Sequence, residues 1–171
     1  MSNQSRSISN LNVSINGVSQ IGRVKSVVIP KVAPEIETKR TIDSNFPSVF
    51  VVGMKQLDLS FVLYDYNPAL LAAAGADISK ESEVIITGFI REKDGTTRSV
   101  RFVAEGLITD IDTGTLEAGT IAEYEFTLEG LSKYKELYDG VTVYDINDET
   151  GTFIIDNDDI GSTIRQVLAS A

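Results

Sequence analysis

Ala122-Glu-Tyr-Glu-Phe-Thr-Leu-Glu-Gly-Leu131 alternates apolar and polar residues almost without a break. Tyr124, Phe126 and Leu128 fall on one side, and Glu123, Glu125, Thr127 and Glu129 on the other. Successive side chains of a strand leave opposite faces, so this period of two specifies a half-buried β-strand. The same period recurs at Leu57, Leu59, Phe61 and Leu63, which alternate with Asp58 and Ser60. Working outward, Ile8 to Ile15 and Gln20 to Ile29 read as strands separated by Asn16-Gly17, a tight-turn signal. Val84 to Arg91 and Thr97 to Ile108 form a hairpin over Asp94-Gly95, and Asp139-Gly140 opens another into Val141 to Ile146. Pro30 and Pro34 punctuate the chain before Glu35 to Ile42, where alternation resumes with Ile36 and Ile42 on one side.

Two helices interrupt this pattern. Asn67 suits an N-cap, Pro68 the first helical position, and Gly75 a left-handed ending. The body between them, Ala69 to Ala74, is apolar all round and is expected to be buried against the sheet or a neighbouring subunit. Near the end, Ile160, Ile164, Val167 and Leu168 share one helical face, with Asp158 or Asp159 placed to cap it and to meet the helix dipole. The fold class is therefore mainly β, barrel- or sandwich-like, with one short internal helix and a C-terminal helix. At 171 residues with no repeat or linker it reads as a single domain, residues 1–171, with a polar, flexible start at 1–7.

Composition removes most chemistry. The chain has no Cys, His or Trp, which excludes Ser-His-Asp and Cys-His nucleophiles, the usual zinc sites and haem ligation. No disulfide framework is available, as suits a reducing compartment. No apolar run approaches the roughly 20 residues that span a bilayer, and the first residues lack the apolar stretch of a secretory signal. A formal net charge of −10 disfavours binding to nucleic acid through its phosphates.

The remaining candidates are weak. Asp110, Asp112 and Glu117 gather near a Gly-containing turn, where carboxylates commonly collect, and nothing suggests a catalytic pair. Asp145-Ile-Asn147-Asp-Glu149-Thr-Gly151 imitates a calcium loop with Asp156 at the twelfth place, but Thr150 holds the sharp-turn position and the flanks read as strands. A solvated turn is the better reading. Gly17, Gly22 and Gly53 lie too far apart for a phosphate loop. Lys31, Lys39 and Arg40, interleaved with Glu35 and Glu37, suggest a cross-strand charge pattern rather than an anion site. We expect no enzyme, no cofactor and no metal.

Between Arg40 and Gln56 the alternation fails. Polar turn residues lead into an apolar knot of Phe46, Val49, Phe50, Val51 and Val52. One reading is an ordinary buried strand at Val49 to Val52. The other is a long inter-subunit loop, 41–56, mobile in the isolated chain and ordered against neighbouring copies.

Gly22-Arg-Val-Lys-Ser-Val-Val-Ile-Pro-Lys31, Ile111-Asp-Thr-Gly114, the helix before Ala73-Ala-Gly75, and Tyr138-Asp-Gly140 with Tyr144-Asp-Ile-Asn147 together resemble the major tail tube protein of contractile-tailed bacteriophages and phage-tail-like bacteriocins. The resemblance covers roughly residues 18–168. It departs around Leu131 to Leu137, which looks longer than usual, and between Asp43 and Gly53.

The resemblance implies a subunit that closes into hexameric rings, pooling strands into an inner barrel. The rings would stack into a tube serving as a DNA conduit or a membrane-puncturing shaft. It also implies partners: further copies of itself, a sheath protein, a baseplate initiator and a tail terminator. DNA would pass without specific binding and no membrane anchor is needed; the location would be the virion tail, assembled in the host bacterial cytoplasm. Glu123, Glu125 and Glu129 are the expected lumen-facing residues, because a wall of like charge does not grip phosphates. The competing class is a monomeric β-sandwich binding module, carbohydrate-binding or adhesin-like. The lack of Trp to stack on a sugar counts against it, and a monomeric size would support it.

Overall fold

The computed structural model describes residues 7–40, 42, 45–65, 67–74 and 80–170. Ten strands form one antiparallel sheet whose main path begins at its centre. β7 (Ser82–Arg91), β8 (Thr97–Asp112), β9 (Glu123–Tyr138) and β10 (Val141–Asn147) follow one another as hairpins. β11 (Thr152–Ile155) and the two-residue β12 (Asp158–Asp159) extend one end, while β1 (Ser7–Ile15) and β2 (Val18–Ser19) extend the other. β3 (Val24–Val28) and β6 (Leu59–Tyr64) join as a branch, with β6 pairing both β3 and the first half of β9. The Asn16-Gly17, Asp94-Gly95 and Asp139-Gly140 turns all fall between strands as expected. Asn16, Gly17, Asp139 and Gly140 have positive φ, the conformation that short turns need and that Asn, Asp and Gly tolerate.

β8 and β9 are each 16 residues long, well beyond the common strand length of about 5–6. They reach that length by bending. Their register shifts twice, between Glu105 and Leu107 and between Ile108 and Asp110. Gly106 lies at the first shift, where a Cβ would stand 2.9 Å from Leu131 Cδ2, and Gly130 opposite it has a φ of 64°. Bulges and glycines of this kind turn a strand through a corner. The two halves of the sheet then share one core, in which Val13, Ile15, Val84, Ile86 and Phe102 join Leu59, Phe61, Leu63, Phe126 and Leu128. Phe61 and Phe126 stack with ring centroids 5.1 Å apart. The architecture is thus mainly β and sandwich-like. Among the described residues the sheet does not close into a barrel.

Three local expectations change. α1 (Pro68–Ala74) starts as read, with Asn67 Oδ1 accepting from the amides of Ala69 and Leu70. Leu70 is buried, but Ala69 and Ala72 are exposed, so this apolar helix is not buried all round. Its proposed ending at Gly75 lies outside the described residues. α2 (Ser162–Ala169) is capped by Gly161 rather than by Asp158 or Asp159, which pair with β11 instead. Asp159 still serves the helix, because its carboxylate holds Arg165 in an ion pair. Ile160 and Val167, from the expected apolar face, are exposed; the side chains of Ile164 and Leu168 lie outside the described residues.

The largest correction concerns residues 41–56. Ser48–Met54 forms a strand, β5, paired with β4 (Pro34–Lys39) in a separate two-stranded sheet. The segment is therefore not a long loop. Nor is it the ordinary buried strand, because every residue of β4 and β5 is exposed. The valines at 49, 51 and 52 favour the strand. The expected cross-strand charge pattern is absent as well: Glu35, Glu37 and Lys39 face Gly53, Phe50 and Ser48, none of them charged.

Candidate functional site

Two surfaces stand out. The first is the outer face of the branch formed by β3, β6, the first half of β9 and the second half of β8. Alternation sends Tyr124, Phe126 and Leu128 into the core, leaving Glu123, Glu125 and Glu129 exposed on the opposite face. The register adds neighbours that sequence alone could not align: Asp112 lies directly across from Glu125, and Asp110 from Thr127. Like charges facing each other across strands are unfavourable. Lys25 offsets part of this, since its Nζ reaches both Glu123 carboxylate oxygens at 2.7 Å and lies 5.8 Å from the Tyr64 ring centroid. The hydrogen bond to Glu123 holds the lysine above its ordinary pKa.

Among the described residues both margins of this four-stranded unit are open. β3 pairs with β6 on one side, and among the described residues nothing pairs with its other side. β7 covers β8 only from Thr97 to Gly106, so among the described residues Leu107–Asp112 pairs with β9 alone. Such margins present unpaired backbone donors and acceptors, a template for another chain. Their charges differ: Arg23 and Lys25 lie along the β3 margin, Asp110 and Asp112 along the β8 margin.

The second surface is the β4–β5 hairpin. Phe46, Val49, Phe50, Val51 and Val52 are 53–81% exposed, and Ile36 adds to them. Ile36, Thr38, Val49 and Val51 share one face, while Glu37, Lys39, Ser48 and Phe50 share the other; Val52 is the extra residue at a bulge. Beside the hairpin's base lies a groove of about 930 Å³ between the β10–β11 hairpin and α2.

The candidates for chemistry are taken up by structure. Asp145 pairs with Lys135 at 3.6 Å, and Asn147 Oδ1 accepts from the Thr150 amide at 3.3 Å, so the calcium-like stretch is a β-hairpin turn. Asp112 Oδ1 accepts from the Gly114 amide at 2.8 Å, closing the turn after β8. No cluster of three metal-ligating side chains occurs among the described residues. Tyr134 is buried with its hydroxyl donating to Glu136 at 3.1 Å; burial first, and then that carboxylate, push its pKa up. It is a satisfied core tyrosine.

Residues 5–168 match the family described as phage tail tube protein FII. No curated protein matches the chain by sequence. Among solved structures, a chain of the anti-feeding prophage baseplate, determined by cryo-electron microscopy with six-fold symmetrisation, is similar at 11% identity and a TM-score of 0.42. The match covers 74% of this chain and 90% of that one. With the family match spanning nearly all of its length, the chain belongs to the phage tail tube proteins, a family of structural proteins.

Proposed function

We propose that six copies of this chain close into a ring and that rings stack into the inner tube of a contractile tail. The observation that carries this reading is the pair of open margins on the β3–β6–β9–β8 unit, oppositely charged and on the same sheet. If β3 of one copy pairs with the second half of β8 of the next, both templates are satisfied and Lys25 approaches Asp110 and Asp112. Repeated around a ring, the four-stranded units become a continuous inner barrel. The number six rests on the sequence resemblance.

Glu123, Glu125 and Glu129, with Asp110 and Asp112, would then line the lumen. Such a wall repels phosphates and lets DNA pass without gripping it. In a bacteriocin-like particle the same tube would act as the puncturing shaft. Sheath, baseplate initiator and tail terminator are the partners this role requires, with assembly in the host cytoplasm and residence in the virion tail. Phe46, Val49, Phe50, Val51 and Val52 are the proposed inter-subunit contacts of the hairpin, and burying each large apolar side chain would contribute about 1.5–3 kcal/mol.

Electron microscopy of the concentrated purified chain tests the reading. Rings or tubes are expected; a particle that stays monomeric at high concentration returns the chain to the binding-module class. Asp110→Lys combined with Asp112→Lys should leave the circular dichroism spectrum unchanged and abolish rings. Phe50→Asp should leave the subunit folded and block tube growth, because a carboxylate would be desolvated at every copy of the contact. Normal tubes from Phe50→Asp would remove the hairpin from the assembly contacts.

A further inference from the structure

The groove beside the hairpin's base has an apolar floor and a polar rim. Met54, Leu57, Leu131, Ile146, Phe153 and Ile160 contribute to its lining, and the turn at Asp148, Glu149 and Thr150 stands at its edge. The β4–β5 hairpin is its converse: a ribbon with Ile36, Val49 and Val51 exposed on one face and the cations Lys39 and Arg40 toward its tip. We propose that this groove receives the β4–β5 hairpin of a second copy of the chain, with Lys39 and Arg40 meeting Asp148 and Glu149. The proposal rests on the assembly reading above and names the surface on which the hairpin docks.

Two observations select a second copy as the occupant. First, a chain cannot fill its own groove with its own hairpin tip. Met54 belongs to both the hairpin's base and the groove's lining, and the seven residues of β5 carry the tip roughly 20 Å away at about 3.3 Å per residue. Returning it would break the β4–β5 ladder. Second, the charges are complementary. The basic pair is at the tip of the ribbon and the acidic pair is at the groove's rim, where Glu149 meets Lys133 only at 3.6 Å and Asp148 is exposed. Projection and recess are different parts of the surface, so the contact is heterologous. Each copy offers one of each, and the contact repeats from copy to copy instead of ending in a two-fold pair.

The chain has no cysteine, so introduced thiols report one contact at a time. Arg40→Cys and Thr150→Cys variants are mixed under assembly conditions, oxidised, and run on a denaturing gel, with Lys93→Cys replacing Thr150→Cys as the control. Disulfide-linked dimers are expected from the first mixture and not from the control. In parallel, Lys39→Glu with Arg40→Glu should raise the critical concentration for tubes about tenfold. Adding Asp148→Lys to that variant should lower it again. Tubes that form without the cross-link, with Thr150→Cys still open to a maleimide, overturn the groove as receptor and leave the tube reading standing. A maleimide-reactive groove that closes only when sheath protein is added assigns it to that partner and equally overturns the proposal. Absence of rings and tubes from the unmodified chain removes both readings together.

Discussion

β9 and β5 are both strands carrying phenylalanine, yet Phe126 is fully buried while Phe50 is 53% exposed. The difference lies in what covers each strand. β9 pairs on both sides and packs its inner face against the opposite half of a bent sheet; among the described residues β5 has only β4 beside it and no layer on either face. Alternation marks β9 as a strand, and a run of valines does the same for β5. A second layer decides whether its apolar face contributes to the stability of the subunit, and a lone two-stranded ribbon is marginal in water.

The sharpest way to break this comparison is to truncate a phenylalanine in each region. Phe126→Ala should cost about 3–5 kcal/mol of unfolding free energy in the unassembled subunit, from lost burial and the cavity left behind. Phe50→Ala should change it by no more than about 0.5 kcal/mol. Denaturant titrations of both variants decide it, and similar losses would mean that β5 belongs to the subunit's core.

Glycines give a smaller version of the same contrast. At Gly106 an added Cβ meets Leu131 Cδ2 at 2.9 Å, so Gly106→Ala should destabilise by about 1–3 kcal/mol through overpacking at the bend. At Gly53 an added Cβ meets nothing within 4 Å, and Gly53→Ala should be neutral to within about 0.5 kcal/mol. Smaller again is the hydroxyl of Tyr134, whose bond to Glu136 should make Tyr134→Phe cost about 1 kcal/mol in the same titration.

The smallest expected effect is one of pH at an exposed turn. The Thr96 amide, bonded to Asp94, lowers that carboxyl below its ordinary pKa of 3.8. A depressed carboxyl stabilises the fold above its unfolded pKa, and this contribution disappears as pH falls through the folded value. Asp94→Asn should therefore lower the melting temperature slightly near neutral pH and make no difference in strong acid. A variant that differs from the parent equally at both pH values would show that ionisation is not the cause.

Strands, turns and the outward set Glu123, Glu125 and Glu129 were legible in the sequence because each depends on neighbours along the chain. The apolar knot at Val49–Val52 was legible as anomalous, but neither reading of it, a buried strand or a long loop, was the exposed strand that forms. Its pairing with Pro34–Lys39 was not legible, because Pro34 and the polar residues between Arg40 and Ser48 hide the hairpin's register. Asp112 facing Glu125 was equally hidden: the bulge at Ile108–Asp110 shifts the register by one residue, and no local pattern announces it. The Gly161 cap escaped for a related reason, since Asp158 and Asp159 look like caps until a two-residue strand claims them.

The length of β8 and β9 also has a mechanical consequence. Both strands run unbroken through the two halves of the sandwich, so a force applied along them loads their shared ladder in shear, with many hydrogen bonds resisting together. The β4–β5 ribbon, pulled from its open end, gives way one pair at a time. Under axial thrust the subunit would behave as a stiff beam with a compliant flap, yielding first at the flap while the beam keeps its shape.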